Sequence, residues 1–426
     1  MGEPRVVCIM GSGETAPTMS SVHADLLRRA GVPPGLAVLL DTPFGFQENA
    51  SEIVARAAAF FRSVGNADVA TASLRSADAG ALELETALTQ LRQAAWIFAG
   101  PGSPSYALRQ WRRTRVPALL AQRLREGGVV ITLSSAAACT IGVVAVPVYE
   151  VYKVGEEPRW LEGLDLLGVA GLRCAVIPHY DNAEGGTHDT RYSYLGERRL
   201  RLLEEQLPAG ALIVGVEEHT ALILDLDADT ATVRGRGALV VRRRGEEERV
   251  EAGETVSLDR LRGGTARGGV VTPTLTVAGA RPPDRGREDL GNPLLEELAA
   301  RRSDFDDARC RRDLDGMLRA VLEIDDLLVA WANDTLQSDA RDRARGELRG
   351  MVVALGELAR AGVRDPRDVI GPFVEIALRQ RETARREGRF SDADTVRDQL
   401  AALGVEMRDG HEGTTWVLHD DAPAWR

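Results

Sequence analysis

The chain has 426 residues, with 64 acidic side chains against 53 lysines and arginines, a net charge of −11. That balance argues against nonspecific attraction of the whole molecule to nucleic acid, and no apolar run is long enough to span a bilayer. Cys8, Cys139, Cys174 and Cys310 are isolated with no CxxC pair, which disfavours a zinc knuckle or disulfide framework and suits a reducing compartment. The N-terminus MGEPRVVCIMGSGE lacks the charged stretch and long apolar core of a signal peptide, so a bacterial-style cytoplasmic protein is expected. A hydrophobic content of 44% supports real cores, and the length predicts two domains.

Up to Leu261 the runs RVVCIMG, LAVLLD, AAWIFAG, GVVITLS and CAVIPHY are short and apolar, as buried parallel strands are. They alternate with helical patterns such as SEIVARAAAFFRSVG and PSYALRQWRRTRVPALLAQRLREGG. This alternation predicts a doubly wound, mostly parallel α/β sheet over residues 1–261. From Ala211 the alternation of residues, broken by DAD, GRG and RGEEE turns, predicts antiparallel hairpins extending one sheet edge. Residues 262–292 are rich in Gly, Pro and Arg and read as a linker. Residues 293–426 carry apolar side chains at helical spacing and predict an all-α bundle, closed by a short hairpin over VEMRDGHEGTTWVL.

In an open α/β sheet, ligands meet the carboxyl ends of the strands. Four loops there carry chemistry. MGSGETAP has a Gly-x-Gly but not the full dinucleotide fingerprint, so no cofactor is expected from it. FAGPGSPSYALRQW places Gly100, Pro101 and Gly102 between a strand and a helix, where free N–H groups can form half of an oxyanion hole. In GGVVITLSSAAACTIG a buried strand runs into Ser134, Ser135 and small neighbours. A nucleophile on a strained strand-to-helix turn needs such neighbours, and a Ser-capped helix packed through alanines has the same appearance. Finally, His179 leaves one strand and Glu217 and Glu218 leave the next, so the order Ser, His, Glu is available for a triad.

The stretch VIPHYDNAEGGTHDTRYSY is dense in polar groups. His179, Asp181, Glu184, His188 and Asp189 are metal-ligand types, but no HExxH spacing is present and Gly185-Gly186 makes a loop rather than a rigid platform. We therefore set metal binding below the triad reading. Beside a working His179, the residues Asp181, Asn182, Glu184, His188, Asp189, Arg191 and Tyr192 are candidates for contacting a polar substrate. Arg191 suits a substrate carboxylate, and the plain alternative is an internal ion-pair network. Lys153 joins them because it is the sole lysine in an arginine-rich chain, and Arg does not replace Lys at a tight site.

The motifs GGVVITLSSAAA, VIPHY and VGVEEHTALILD resemble those of the cyanophycinase and dipeptidase E family of serine peptidases, over roughly the first 260 residues. The resemblance implies a class I glutamine amidotransferase-like fold in which Ser replaces the amidotransferase Cys. It further implies Ser135 as nucleophile, His179 as base, Glu218 as the orienting acid, and oxyanion donors at Gly102 and Ala136. The family pattern Gly-x-Ser-Ala-Gly-Ala is broken here by Leu133 and Ala137, and Glu217 stands where the family has Asp. An inactive fold retained for binding is the alternative.

A second resemblance covers the last 130 residues or so. LRQRETARREGRFSDADTVRDQLAALGVEMRDGHEGTTWVL is similar to the C-terminal region of cysteinyl-tRNA synthetases, through Arg381, Arg385, Ala393, Asp394, Arg397, Asp398, Leu400, Gly404, Asp409, Gly413, Thr414 and Trp416. No HIGH or KMSKS motif and no zinc cysteine cluster accompanies it, so the chain is not a synthetase. The expectation is a serine hydrolase acting on a peptide or amino-acid-derived substrate. The alternative is a tRNA- or protein-binding module working through the helical domain. Homodimerisation or substrate presentation is a further use for that bundle, and the acidic balance favours it over tRNA contact.

Overall fold

The computed structural model describes residues 3–31, 36–185, 188–263, 292–311, 313–332, 340–362, 366–410 and 413–418. Two compact units comprise Met1–Ala299 with Ile324–Ala344, and Ala300–Glu323 with Arg345–Arg426. This division differs from a cut at residues 262–292: Pro293–Ala299 and Ile324–Ala344 group with the α/β part. Residues 264–291 of the expected linker lie outside the described residues.

The first unit contains strands β1 Arg5–Met10, β2 Ala37–Leu40, β3 Val69–Ala72, β4 Trp96–Ala99, β5 Val129–Ser134, β6 Val144–Ala145 and β7 Leu161–Glu162. There follow β8 Cys174–Ile177, β9 Leu212–Val216, β10 Thr220–Asp225, β11 Thr230–Gly235, β12 Ala238–Arg243, β13 Glu246–Glu251 and β14 Thr255–Ser257. One sheet runs β14-β11-β10-β1-β5-β4-β2-β3, and its β1, β5, β4, β2 and β3 are parallel neighbours. The other runs β13-β12-β9-β8-β6-β7, with β6, β8 and β9 parallel.

Alternation along single strands explains why these segments read as continuously apolar. In β1, Val7 and Ile9 enter a core with Leu88, Leu91, Leu119 and Leu120 from helices Ala81–Gln93 and Val116–Glu126. Val6, Cys8 and Met10 enter a second core with Val22, Leu26, Ala57 and Phe61 from helices Ser20–Ala30 and Ala50–Gly65. Both faces are therefore covered, as in a doubly wound α/β fold.

The antiparallel strands correct one expectation. They do not extend a single edge but are shared out: β10, β11 and β14 join the first sheet, while β12 and β13 join the second beyond β9. The crossing after β11 uses Gly235, whose φ of 112° is open to glycine and whose Cβ would lie 2.2 Å from the His219 carbonyl oxygen.

The second unit is helical, with a hairpin of β15 Val405–Gly410 and β16 Gly413–Leu418. Val374, Val405 and Leu418 form its small core with Ile370, Leu378, Leu400 and Trp416. Arg381 on helix Pro366–Arg386 pairs bidentately with Asp409 at 2.9 and 2.8 Å, and Thr414 Oγ1 donates to the same carboxylate at 2.7 Å. Arg381, Asp409, Thr414 and Trp416, which carry the synthetase resemblance, thus hold the hairpin onto its helix. Among the described residues no helix is long and apolar enough to cross a membrane.

Candidate active site

Strand β5 runs without a loop into the short helix Ser135–Cys139, and the junction residue Ser135 is forced to a φ of 47°. A left-handed backbone at a non-glycine residue costs about 1–3 kcal/mol and persists only where its surroundings fix it. Here Ala136, Ala137 and Ala138 are buried beside it, and the Ala137 N–H donates to the Gly100 carbonyl at 3.2 Å. Neither Leu133 nor Ala137 has a positive φ, so the two departures from glycine impose no backbone penalty. The adjacent serine is turned elsewhere: Ser134 Oγ donates to Glu14 Oε2 at 2.7 Å inside the protein.

The Ser135 hydroxyl instead meets His179, with Oγ and Nε2 3.0 Å apart. His179 stands two residues past β8, also left-handed at 49°. Its Nδ1 lies 2.8 Å from Glu218 Oε1. An ionised carboxylate only accepts, so Nδ1 carries the proton toward Glu218 and Nε2 is left to accept from Ser135. Glu218 is held in turn by Asn182, whose Nδ2 donates to Oε1 at 2.9 Å, and by its own N–H, which donates to Asp181 Oδ1 at 2.7 Å.

Glu217 is engaged differently. It pairs with Arg249 at 2.6 and 3.1 Å and accepts from the Ala238 N–H at 2.7 Å, tying β9 to the second sheet's antiparallel strands. Of the two acids, Glu218 is the one in contact with His179. Burial works against a charged imidazole, but the hydrogen bond and charge of Glu218, with Glu14 and Glu184 beyond, outweigh it and raise the His179 pKa above its ordinary value. Burial alone would raise Glu218, yet its hydrogen bonds to His179 and Asn182 and the imidazole charge hold it below the ordinary carboxylate value.

The loop with the predicted oxyanion donor is pinned close by. Gly102 has a φ of 137°, and a Cβ there would fall 2.0 Å from the Pro43 carbonyl oxygen, which also accepts from the Ser103 N–H at 2.9 Å. Ala136, the second predicted donor, directly follows Ser135 and is buried.

The remaining polar candidates separate into groups. Asn182 is buried and Asp181 exposed, and both hydrogen-bond to Glu218. Asp189 and Arg191 satisfy each other at 2.9 and 2.9 Å, and Asp189 also accepts from the Glu197 N–H at 3.0 Å, so Arg191 is not a free cation. Glu184 accepts from the Tyr194 hydroxyl at 2.8 Å. The Tyr194 ring lies 6.2 Å from the His179 ring and stacks on Tyr152 at 5.0 Å. Tyr152 in turn faces His188 at 6.2 Å and carries Lys153 Nζ over its ring at 4.9 Å. Tyr192 packs inward on Tyr180. Among the described residues no three His, Cys, Asp or Glu side chains converge as a metal cage.

Sequence reasoning missed Tyr152, Tyr194, Glu14 and His219. Tyr194 is positioned by three consecutive left-handed residues, Tyr192, Ser193 and Tyr194, and Ser193 Oγ locks them by donating to the Pro178 carbonyl at 2.6 Å. Nothing in local sequence signals such a turn.

Residues 372–416 match the family described as the cysteinyl-tRNA ligase anticodon binding domain. A cysteine–tRNA ligase from Pseudomonas entomophila strain L48 is 35% identical over 102 residues, 22% of this chain and 22% of that protein. The chain spans only 10% to 22% of the length of the first curated relatives it matches. A crystal structure of a peptidase from an acI-B1 actinobacterium has a TM-score of 0.49 and 18% identity, covering 60% of this chain and 97% of the other. A Listeria monocytogenes EGD-e protein provisionally assigned as a peptidase E has a TM-score of 0.37 and 14% identity, covering 55% of this chain and 98% of the other.

Proposed function

We propose that the α/β unit is a serine hydrolase acting on a peptide or amide bond of a peptide or amino-acid-derived substrate. The observation that carries this reading is the unbroken chain Ser135 Oγ–His179 Nε2 at 3.0 Å and His179 Nδ1–Glu218 Oε1 at 2.8 Å. In the proposed reaction Ser135 Oγ attacks the carbonyl carbon while His179 Nε2 takes its proton, and Glu218 holds the imidazolium and its tautomer. The oxyanion is received by backbone N–H groups at Gly102 and Ala136. His179 then protonates the departing amine, and water, activated by the same nitrogen, hydrolyses the acyl-enzyme. Glu184, His188 and Lys153, gathered around the Tyr152–Tyr194 stack, are the proposed substrate contacts. Asp189 and Arg191 shape the loop.

The second reading is a binding module for tRNA or protein through the helical unit, and its support is the match over 372–416. The arginines of that region argue for a structural use first: Arg381 and Arg385 bind Asp409, Arg389 binds Glu387 and Asp392, and Arg397 binds Asp394 and Asp398. A homodimer is the alternative role for the unit, and a cytoplasmic location is retained as a proposal.

A fluorophosphonate probe tests the first reading. Labelling of the wild-type chain and none of Ser135→Ala is the expected result. Absence of wild-type labelling, with saturable and salt-sensitive retention of tRNA on a filter, would replace it with the binding reading.

A further inference from the structure

The turn that presents Glu218 is supported from behind by a residue more than a hundred positions further along the chain. His219, the next residue, is buried at a φ of 50°. Its ring fills the space that a side chain at Gly13 would need, since a Cβ there would lie 2.2 Å from Nδ1. Nδ1 is hydrogen-bonded to Thr18 Oγ1 at 2.8 Å, the His219 N–H donates to Ser12 Oγ at 3.3 Å, and its carbonyl accepts from the Arg236 N–H at 3.0 Å. Trp331 packs on the ring edge-to-face, with centroids 5.8 Å apart and planes at 69°.

Trp331 is 2% exposed and clusters with Ala16, Leu294, Leu327 and Ala340, all within the first compact unit. Its indole N–H has no hydrogen-bond partner among the described residues, so it acts by ring packing. Glu296, from the same part of the unit, pairs with Arg236 beside the His219 carbonyl contact.

We propose that Trp331 is a positioning residue for the triad: by seating the His219 ring it fixes the left-handed turn that aims Glu218 at His179. The inference rests on the hydrolase reading and extends it, because it makes a segment beyond the α/β sheets a working part of the site. The physical argument is that a left-handed histidine relaxes unless its surroundings over-determine it. The Thr18 bond fixes one ring nitrogen but not the pivot about it. Burial holds the ring neutral, with a pKa down at about 4, so it has no charge to anchor it among Glu218, Arg236, His179 and Glu296, the titratable and charged groups around it. Removing the indole opens a cavity into which the ring can swing. Glu218 is one peptide away, and a displacement of about 1 Å in a catalytic group costs up to ~100-fold in rate.

The test compares the full-length wild type with Trp331→Ala, Trp331→Phe and Leu88→Ala, the last making a cavity in the α/β core where Leu88 is 1% exposed. Two readouts are taken: the second-order rate of fluorophosphonate labelling across pH, and the titration of His179 followed by imidazole NMR. Trp331→Ala is expected to slow labelling by about tenfold or more and to bring the His179 midpoint down, as Glu218 loses its grip. Trp331→Phe keeps an aromatic ring and is expected to recover most of the rate, whereas Leu88→Ala loses stability without moving the His179 midpoint. Wild-type labelling rate and His179 midpoint in Trp331→Ala would overturn the proposal. If the wild type does not label at all, the hydrolase reading fails by itself, and an unmoved His179 midpoint in Trp331→Ala still refutes the positioning role, while a lowered one upholds it.

Discussion

Exchange of Glu218 for glutamine, set against the same exchange at Glu217, isolates the charge that the site depends on. The two residues are adjacent, Glu217 buried and Glu218 partly so, and they differ in partner: Glu218 Oε1 lies 2.8 Å from His179 Nδ1, while Glu217 binds Arg249 at 2.6 Å. In the transition state His179 becomes an imidazolium. With opposite charges centred about 4 Å apart and an effective dielectric near 20, losing the carboxylate removes roughly 4 kcal/mol of stabilisation. At about 1.4 kcal/mol per decade that is a fall of nearly a thousandfold. A glutamine amide also offers N–H or C=O to Nδ1 and so can favour the wrong tautomer, and amidation of a triad acid elsewhere costs about 10⁴. We expect Glu218→Gln to label with the fluorophosphonate ~10³–10⁴ times more slowly than wild type. Glu217→Gln should lower the unfolding free energy by about 1–3 kcal/mol while keeping the labelling rate, since Arg249 is half exposed and re-solvates. Stopped-flow or gel-resolved labelling kinetics separate these outcomes. A slow Glu217→Gln beside a fast Glu218→Gln would refute the assignment.

Wild-type labelling should rise with pH through a midpoint above the ordinary histidine value of 6.5, because Glu218 favours the protonated ring and only the neutral ring accepts from Ser135. Stability carries the opposite slope. The raised His179 contributes fully below 6.5 and loses its contribution as pH rises through the folded value, while the lowered Glu218 contributes above 4.5 and loses it on acidification. Urea titrations should therefore find the wild-type advantage over Glu218→Gln larger at pH 5.5 than at pH 9. Gly102→Ala brings a Cβ to 2.0 Å from the Pro43 carbonyl at a φ of 137°, and should cost ~2 kcal/mol or more and slow labelling; an unchanged melting profile would contradict the pinned loop. In the helical unit Arg381→Ala should destabilise by about 1–3 kcal/mol by calorimetry, and Arg381→Lys should recover little, because the bidentate grip on Asp409 needs a guanidinium.

Much of this was legible in the chain because burial on both faces leaves a mark. A strand such as VVITLS, covered by helices on either side, is buried throughout and ends abruptly at Ser135. The edge strand Val69–Ala72 left no such mark: VATA is short, only partly covered, and looks like loop. The sharing of β10 to β14 between two sheets was also hidden, since period-two alternation says that a strand is half covered but not which neighbour pairs with it. In the site, Ser135, His179 and Glu218 were readable as residue types at strand ends. Their supporting shell was not. Glu14 lies 120 residues before its Ser134 partner, and Trp331 lies in a segment whose helical spacing suggested only a separate bundle.

The departures at Leu133 and Ala137 show how a motif can weaken in sequence while its geometry persists. A glycine is demanded only where φ is positive or where a Cβ has no room. At this turn the positive φ is carried by Ser135 itself, and both flanking residues keep ordinary backbone angles. Leu133 points into the main core and is 2% exposed, and Ala137 is wholly buried, its N–H tied to Gly100. The same economy recurs at His179 and His219, each a left-handed histidine directly beyond or between strands. Three such residues in one site amount to several kcal/mol of local strain, held by hydrogen bonds that involve Glu14, Asn182, Asp181 and Thr18 and by the packing of Trp331. Under the proposed hydrolase reading, strain sustained by so many separate elements is what a preorganised turn requires.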